Sequence, residues 1–207
     1  QGESGVVVPP DGYLAQVRAV TRQHGALLWV DEVQTGIGRC GEWLTSVADG
    51  LEPDLITVAK GLGNGVPIGA CLAIGPAGEL FTPSSHGSTF GGNPVAAAAG
   101  LAVLDVIEAE GLLERSRSMG EYLSGAVLGL GHRQVLGVRG RGLLRGIEIA
   151  SEIAPQVADA ILDAGWIINA PRPALLRLAP PLIVTTEVID EFAAVLARTL
   201  DAVGGND

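Results

Sequence analysis

The sequence predicts an α/β fold. Three observations carry that reading. An amphipathic helical pattern precedes a short apolar run that ends in acids. Two further apolar runs follow, each separated from the last by a Gly-rich loop. The second half then alternates helical stretches with short strands, as a smaller α+β unit.

Tyr13, Leu14, Val17 and Val20 recur at helical spacing, so 11–24 reads as a helix that His24-Gly25 ends. Residues 26–30 form the first buried strand, with Asp31-Glu32 at its carboxyl end. Residues 34–54 carry Gly36, Gly38, Gly41, Gly50 and Pro53 and read as loop with a short helical piece. Leu55–Val58 is a second strand that ends at Ala59-Lys60, 61–67 a loop, and 69–74 a third strand. After a Ser/Gly/Thr-rich loop over 82–93, Pro94 suits the first turn of a helix reaching about Ala109. A second helix covers 112–128. Residues 135–149 read as a bent strand or hairpin, and 154–164 as a short helix stopped by Gly165. Short strands are expected at 166–169 and 175–178. Val188, Ile189, Phe192, Val195, Leu196 and Leu200 mark a final helix, and 204–207 a tail.

Composition excludes several classes. The chain has 207 residues with a formal net charge of −10, which opposes the counterion displacement that non-specific nucleic-acid binding needs. Hydrophobic residues at 47% against 17% charged rule out a disordered chain. No apolar run approaches the ~18–20 residues of a membrane-spanning helix. Cys40 and Cys71 make neither a disulfide framework nor a zinc site, and no metal is expected; the thiols fit a reducing, cytoplasmic setting. Thirty glycines exceed the usual share of about 7% and imply tight turns and close backbone approaches.

Ligands of open α/β sheets bind beyond the carboxyl ends of strands. Asp31 and Lys60 both sit at such ends, and Lys60 is the only lysine in the chain. The strand ending in Asp31-Glu32 also mimics the acidic, Mg²⁺-holding element of phosphate-loop ATPases. That reading needs G-x-x-x-x-G-K-[ST], and Lys60 is followed by Gly61 with no such motif anywhere. His24, His86 and His132 have no partner pattern. Arg139, Arg141 and Arg145 alternate in a strand-like run and read as one solvated face.

Five segments together resemble one family. They are Gln1-Gly2-Glu3-Ser4-Gly5, Asp31-Glu32-Val33-Gln34-Thr35-Gly36, Leu55-Ile56-Thr57-Val58-Ala59-Lys60-Gly61, Gly87-Ser88-Thr89-Phe90-Gly91-Gly92-Asn93-Pro94 and Arg177-Leu178-Ala179-Pro180-Pro181-Leu182. In order and spacing they are similar to the class III pyridoxal-phosphate aminotransferases, most of all to the acetylornithine-type members. The resemblance implies the C-terminal portion of a fold-type I transferase. Residues 1–105 would close the large mixed-sheet cofactor domain. Residues 106–207 would supply a connecting helix and the small α+β domain.

It further implies a cofactor, pyridoxal 5′-phosphate, and a role for each motif residue. Lys60 would be the Schiff-base lysine and proton shuttle, and Asp31 the partner of the ring nitrogen. Val33 would pack on the ring and Gln34 would hydrogen-bond its phenolic oxygen. Thr89, with Ser88, would reach the phosphate of a neighbouring subunit's cofactor, which implies a homodimer. Arg177 would take the α-carboxylate of glutamate or 2-oxoglutarate, and Glu3 would neutralise it when the other substrate enters amine-first. Ser4 stands where the family commonly has Gly.

The implied reaction moves a terminal amino group, best N2-acetylornithine's, to 2-oxoglutarate, giving glutamate in arginine biosynthesis. Ornithine, 4-aminobutyrate and succinyl-diaminopimelate are the alternative donors, and a non-catalytic fragment is the alternative of another kind. The chain opens on Gln1 without Met, and the family's first-half phosphate loop and ring-stacking aromatic would precede residue 1. The 207 residues alone are therefore expected to be inactive.

Overall fold

The computed structural model describes residues 1–204; the tail expected beyond Gly204 lies outside the described residues. The chain forms two compact units: Pro9–Leu113, and Gln1–Val8 together with the chain from Glu114 onward.

The first unit opens with α1 (Tyr13–Gln23), followed by β1 (Trp29–Asp31), α2 (Thr45–Ala48), β2 (Leu55–Val58), β3 (Ala70–Ala73) and α3 (Pro94–Ala109). β2 is the middle strand, parallel to β1 and antiparallel to β3. Its alternating Ile56 and Val58 are buried, as a period of two places them on one face. β1 starts three residues later than the apolar run suggests. Leu28 is already committed, since its N–H donates to the Asp54 carboxylate at 2.7 Å and its carbonyl accepts from Asp54 and Leu55. α1 forms as expected but buries none of its residues. It is fastened by charge instead, through Arg18 to Asp54 and Arg22 to Glu52.

After β2 the chain makes a 3-10 turn over Lys60–Gly63. The buried side of α3, Ala96, Gly100 and Ile107, includes the glycine that faces Leu62 of this turn and Ile68 beyond it. Asn93 caps α3 by accepting the N–H of Ala96 at 3.0 Å, with Pro94 in the first turn.

The second unit contains α4 (Leu112–Gly129) from Glu114 onward, then β4 (Val135–Arg141), β5 (Leu144–Ile149), α5 (Ala154–Asp163), β6 (Asn169–Arg172), β7 (Leu175–Leu178) and α6 (Thr186–Gly204). The strands form an antiparallel sheet in the order β4-β5-β7-β6. One face carries Ile147, Ile149, Leu176 and Leu178 against Leu123 and Val127 of α4, Val157 and Ile161 of α5, and Phe192, Leu196 and Leu200 of α6. Each fully buried aliphatic side chain there contributes about 1.5–3 kcal/mol.

Two expectations change here. The strand read at 166–169 begins only at Asn169. Trp166 instead closes α5, donating its N–H to Ile161, and its ring packs on Phe192. β6 is an edge strand, which is why Pro171 is tolerated inside it. The arginine run is not one solvated face. Arg145 is 5% exposed, lies opposite Gly140 in the hairpin, and donates to the carbonyls of Gly142 and Gly140 and to Glu121. Arg139 lies in the neighbouring register, opposite Gly146, and so belongs to the other face.

Candidate active site

Asp31 and Lys60 belong to the first unit. Asp31 ends β1 and pairs in register with Thr57 of the parallel strand β2; Lys60 follows β2 by two residues. Parallel pairing therefore puts both groups at the same carboxyl end of adjacent strands, which lie about 4.8 Å apart. Asp31 Oδ1 accepts the N–H of Val33 at 2.9 Å and the Thr57 hydroxyl at 3.4 Å, which leaves Oδ2 without a partner among the described residues. Lys60 is exposed and makes no ion pair among the described residues. Its φ of 45° is in the left-handed region, where a non-glycine residue stores of order 1 kcal/mol or more.

Val33 and Gln34 are half-buried in the turn that follows β1. Sequence reasoning passed over what holds this turn. Glu32 is 1% exposed. One of its carboxylate oxygens accepts the Thr35 hydroxyl and the N–H of Thr45, both at 2.9 Å. The other accepts the N–H and hydroxyl of Ser46, at 2.7 and 2.6 Å. The carboxylate thus satisfies orphan donors at the first turn of α2 and closes the 32–46 loop behind Asp31, Val33 and Gln34. Donor-rich Thr35, Thr45 and Ser46 were its only trace in the sequence.

Ser88 and Thr89 lie in the exposed loop before α3. Ser88 Oγ accepts the N–H of Gly91 at 3.0 Å, while Thr89 keeps its hydroxyl exposed. Since Asn93 caps the helix, Thr89 is not needed for that purpose.

Glu3 and Arg177 meet within the second unit. Arg177 Nη1 donates to the Gly2 carbonyl at 2.8 Å and to Glu3 Oε2 at 3.1 Å, and Nε donates to Asn169 Oδ1 at 2.9 Å. The Arg177 side chain is 16% exposed and that of Glu3 80%. A mostly buried guanidinium beside a largely exposed acid presents a planar fork of the kind that suits a carboxylate.

The family profile of class III aminotransferases matches residues 1–200, and the chain belongs to that family. It is 53% identical over 204 residues to the acetylornithine aminotransferase of Mycobacterium tuberculosis, covering 99% of this chain and 51% of that protein. The acetylornithine aminotransferase of Elizabethkingia anophelis matches in structure with a TM-score of 0.87 at 35% identity, over 96% of this chain and 51% of that one. The ornithine aminotransferase of Toxoplasma gondii, described with partial occupancy of PLP at its active site, matches at a TM-score of 0.89 and 34% identity. It covers 99% of this chain and 50% of its own. The chain thus spans about half the length of the relatives it matches. The fold is that of these class III enzymes, mixed α/β in the first unit and antiparallel with packed helices in the second. Among the described residues no helix is long and apolar enough to cross a membrane, and no three acids, histidines or cysteines group as metal ligands.

Proposed function

We propose that the protein carrying this chain is a pyridoxal-phosphate-dependent aminotransferase of the cytoplasm that moves the terminal amino group of N2-acetylornithine to 2-oxoglutarate, a step of arginine biosynthesis. The observation that carries the reading is the parallel register of β1 and β2, which brings Asp31 and Lys60 to the same end of adjacent strands. The residues present fit the cofactor: an uncommitted amine, and at the carboxyl end of the neighbouring strand a carboxylate with one free oxygen for a ring N–H.

When bound, pyridoxal phosphate supplies the electron sink for the pair released as the substrate C–H bond breaks. Asp31 holds the proton on the ring nitrogen, which keeps that sink open. Lys60 would hold the cofactor through its amine and would move the proton at the substrate carbon. Val33 would pack on the ring and exclude water, and Gln34 would hydrogen-bond its phenolic oxygen. Thr89, with Ser88, binds the phosphate held by a second subunit, so the working form is a homodimer. Arg177 binds the α-carboxylate of glutamate or 2-oxoglutarate. Glu3 closes on Arg177 when the donor enters by its terminal amine. In this division of work residues 1–105 complete the cofactor domain and 106–207 the small domain, with 1–8 lodged on the latter.

Ornithine is the second donor to consider, because ornithine aminotransferases are among the structural matches. Single-turnover amino transfer from N2-acetylornithine, ornithine and 4-aminobutyrate discriminates the donors, and a preference for either of the latter two overturns the first choice. Borohydride fixation followed by mass spectrometry is expected to find the pyridoxyl label on Lys60. A label that persists elsewhere in Lys60→Ala removes Lys60 from this role.

A further inference from the structure

We propose that Arg139, seconded by Arg172, is a positioning residue for the carboxylate gate: together they pin the backbone around Glu3, so that the gate at Arg177 opens and closes by rotation of the Glu3 side chain alone. The proposal rests on the reading of Glu3 and Arg177 given above.

The sheet register sets up this arrangement. Arg139 pairs with Gly146, Gly146 with Arg177, and Arg177 with Asn169, one row across all four strands. Directly opposed residues share a face, so Arg139 and Arg177 flank Gly146 about 10 Å apart. The opposite face holds the helix-packed core, which leaves this one to the segment 1–8. Gly146 makes room for it. A Cβ there would stand 3.2 Å from Val6 Cβ, and Val6 is 3% exposed.

Arginines then hold four of the segment's carbonyls, those of Gly2, Ser4, Gly5 and Val6. Arg139 Nε donates to the Val6 carbonyl at 2.9 Å and Nη2 to that of Gly5 at 2.8 Å. Arg172 Nε donates to the Ser4 carbonyl at 2.6 Å, and Arg177 holds that of Gly2. Glu148 pairs with Arg139 and fixes its guanidinium. Val6, a β-branched residue, keeps φ at 52° only because its surroundings over-determine it. On both sides of Glu3 the main chain is therefore tied down, while the Glu3 side chain is 80% exposed. Holding the segment in this way reduces the conformational freedom lost each time Glu3 returns to Arg177.

The test uses the complete enzyme, with kcat/KM measured for the glutamate and N2-acetylornithine half-reactions and thermal unfolding recorded for every variant. Glu3→Gln is expected to raise the glutamate-to-acetylornithine ratio about tenfold, since an uncompensated Arg177 favours carboxylates. Arg139→Gln should move the ratio in the same direction by about three- to tenfold, and Arg139→Lys by less. In the Glu3→Gln background Arg139→Gln should change the ratio less than about twofold, because both substitutions act through one contact. An unchanged ratio in Arg139→Gln, or an equal further change in the Glu3→Gln background, overturns the proposal. Where Arg139→Gln does not fold, Arg172→Gln must show the same coupling to Glu3, and its absence overturns the proposal equally. If Arg177→Lys leaves glutamate selectivity intact, the underlying reading fails. If Arg177→Lys abolishes it while Arg139 and Arg172 stay uncoupled from Glu3, only the positioning role fails.

Discussion

A single nitrogen of Arg177 serves two acceptors of one short segment, the carbonyl of Gly2 at 2.8 Å and the carboxylate of Glu3 at 3.1 Å. The first contact fixes the segment and the second neutralises the cation.

Arg177→Lys keeps the charge and loses the planar fork. We expect kcat/KM for 2-oxoglutarate to fall by about 10- to 100-fold in the complete enzyme, with the amine-first half-reaction changed about threefold or less. Steady-state kinetics with each substrate varied in turn check this.

Glu32→Ala strips four hydrogen-bond donors of their acceptor inside a closed loop. The expected loss of stability is about 3 kcal/mol, and Glu32→Gln, which retains one acceptor oxygen, should lose less. Urea midpoints at unchanged slope provide the measurement. A midpoint unaffected by Glu32→Ala would show that the 32–46 loop is held by something else.

Arg18 grips Asp54 through both terminal nitrogens, at 2.5 and 3.2 Å, and Leu28 adds its N–H. These contacts, that with Arg18 first, hold the Asp54 carboxyl below the usual carboxylate range. A depressed folded value means that the contribution is complete above the unfolded value of about 4 and disappears as pH falls through the folded one. The stability gap between wild type and Asp54→Asn, about 1–3 kcal/mol near neutrality, should therefore shrink on acidification below about pH 4. Urea titrations between pH 3 and 7 measure it; a gap that widens with acid contradicts the assignment.

Gly120 of α4 faces the β4–β5 turn so closely that a Cβ would lie 2.0 Å from the Gly142 carbonyl oxygen. Backbone cannot swing aside as a side chain can. Gly120→Ala is expected to cost about 3 kcal/mol or more despite alanine's better helix propensity. Calorimetric unfolding of the variant checks the sign as well as the size.

The legibility of the fold followed the range of the interactions behind it. α3 was readable to the residue, because Asn93-Pro94 cap and start it locally. β2 was equally clear from its alternation. β6 was misplaced by three residues because Trp166 closes α5 through its N–H to Ile161 and its ring packs on Phe192, far along the chain, rather than entering the strand. The arginines misled for the same reason. Their spacing describes a strand, but whether a strand face meets water or another segment is not a local property.

The sequence by itself determined most of the elements, the strand-end positions of Asp31 and Lys60 and the family. Each rests on residues adjacent in the chain or on motifs in fixed order. Only the tertiary structure decided that Glu32 is an internal acceptor, that Arg145 is buried, and that Arg139, Arg172 and Arg177 converge on residues 2–6. Those outcomes arise from strand register and from partners up to 175 residues apart. In an antiparallel sheet a shift of one residue sends a side chain to the other face, and local patterning does not specify which distant segment will be there to receive it.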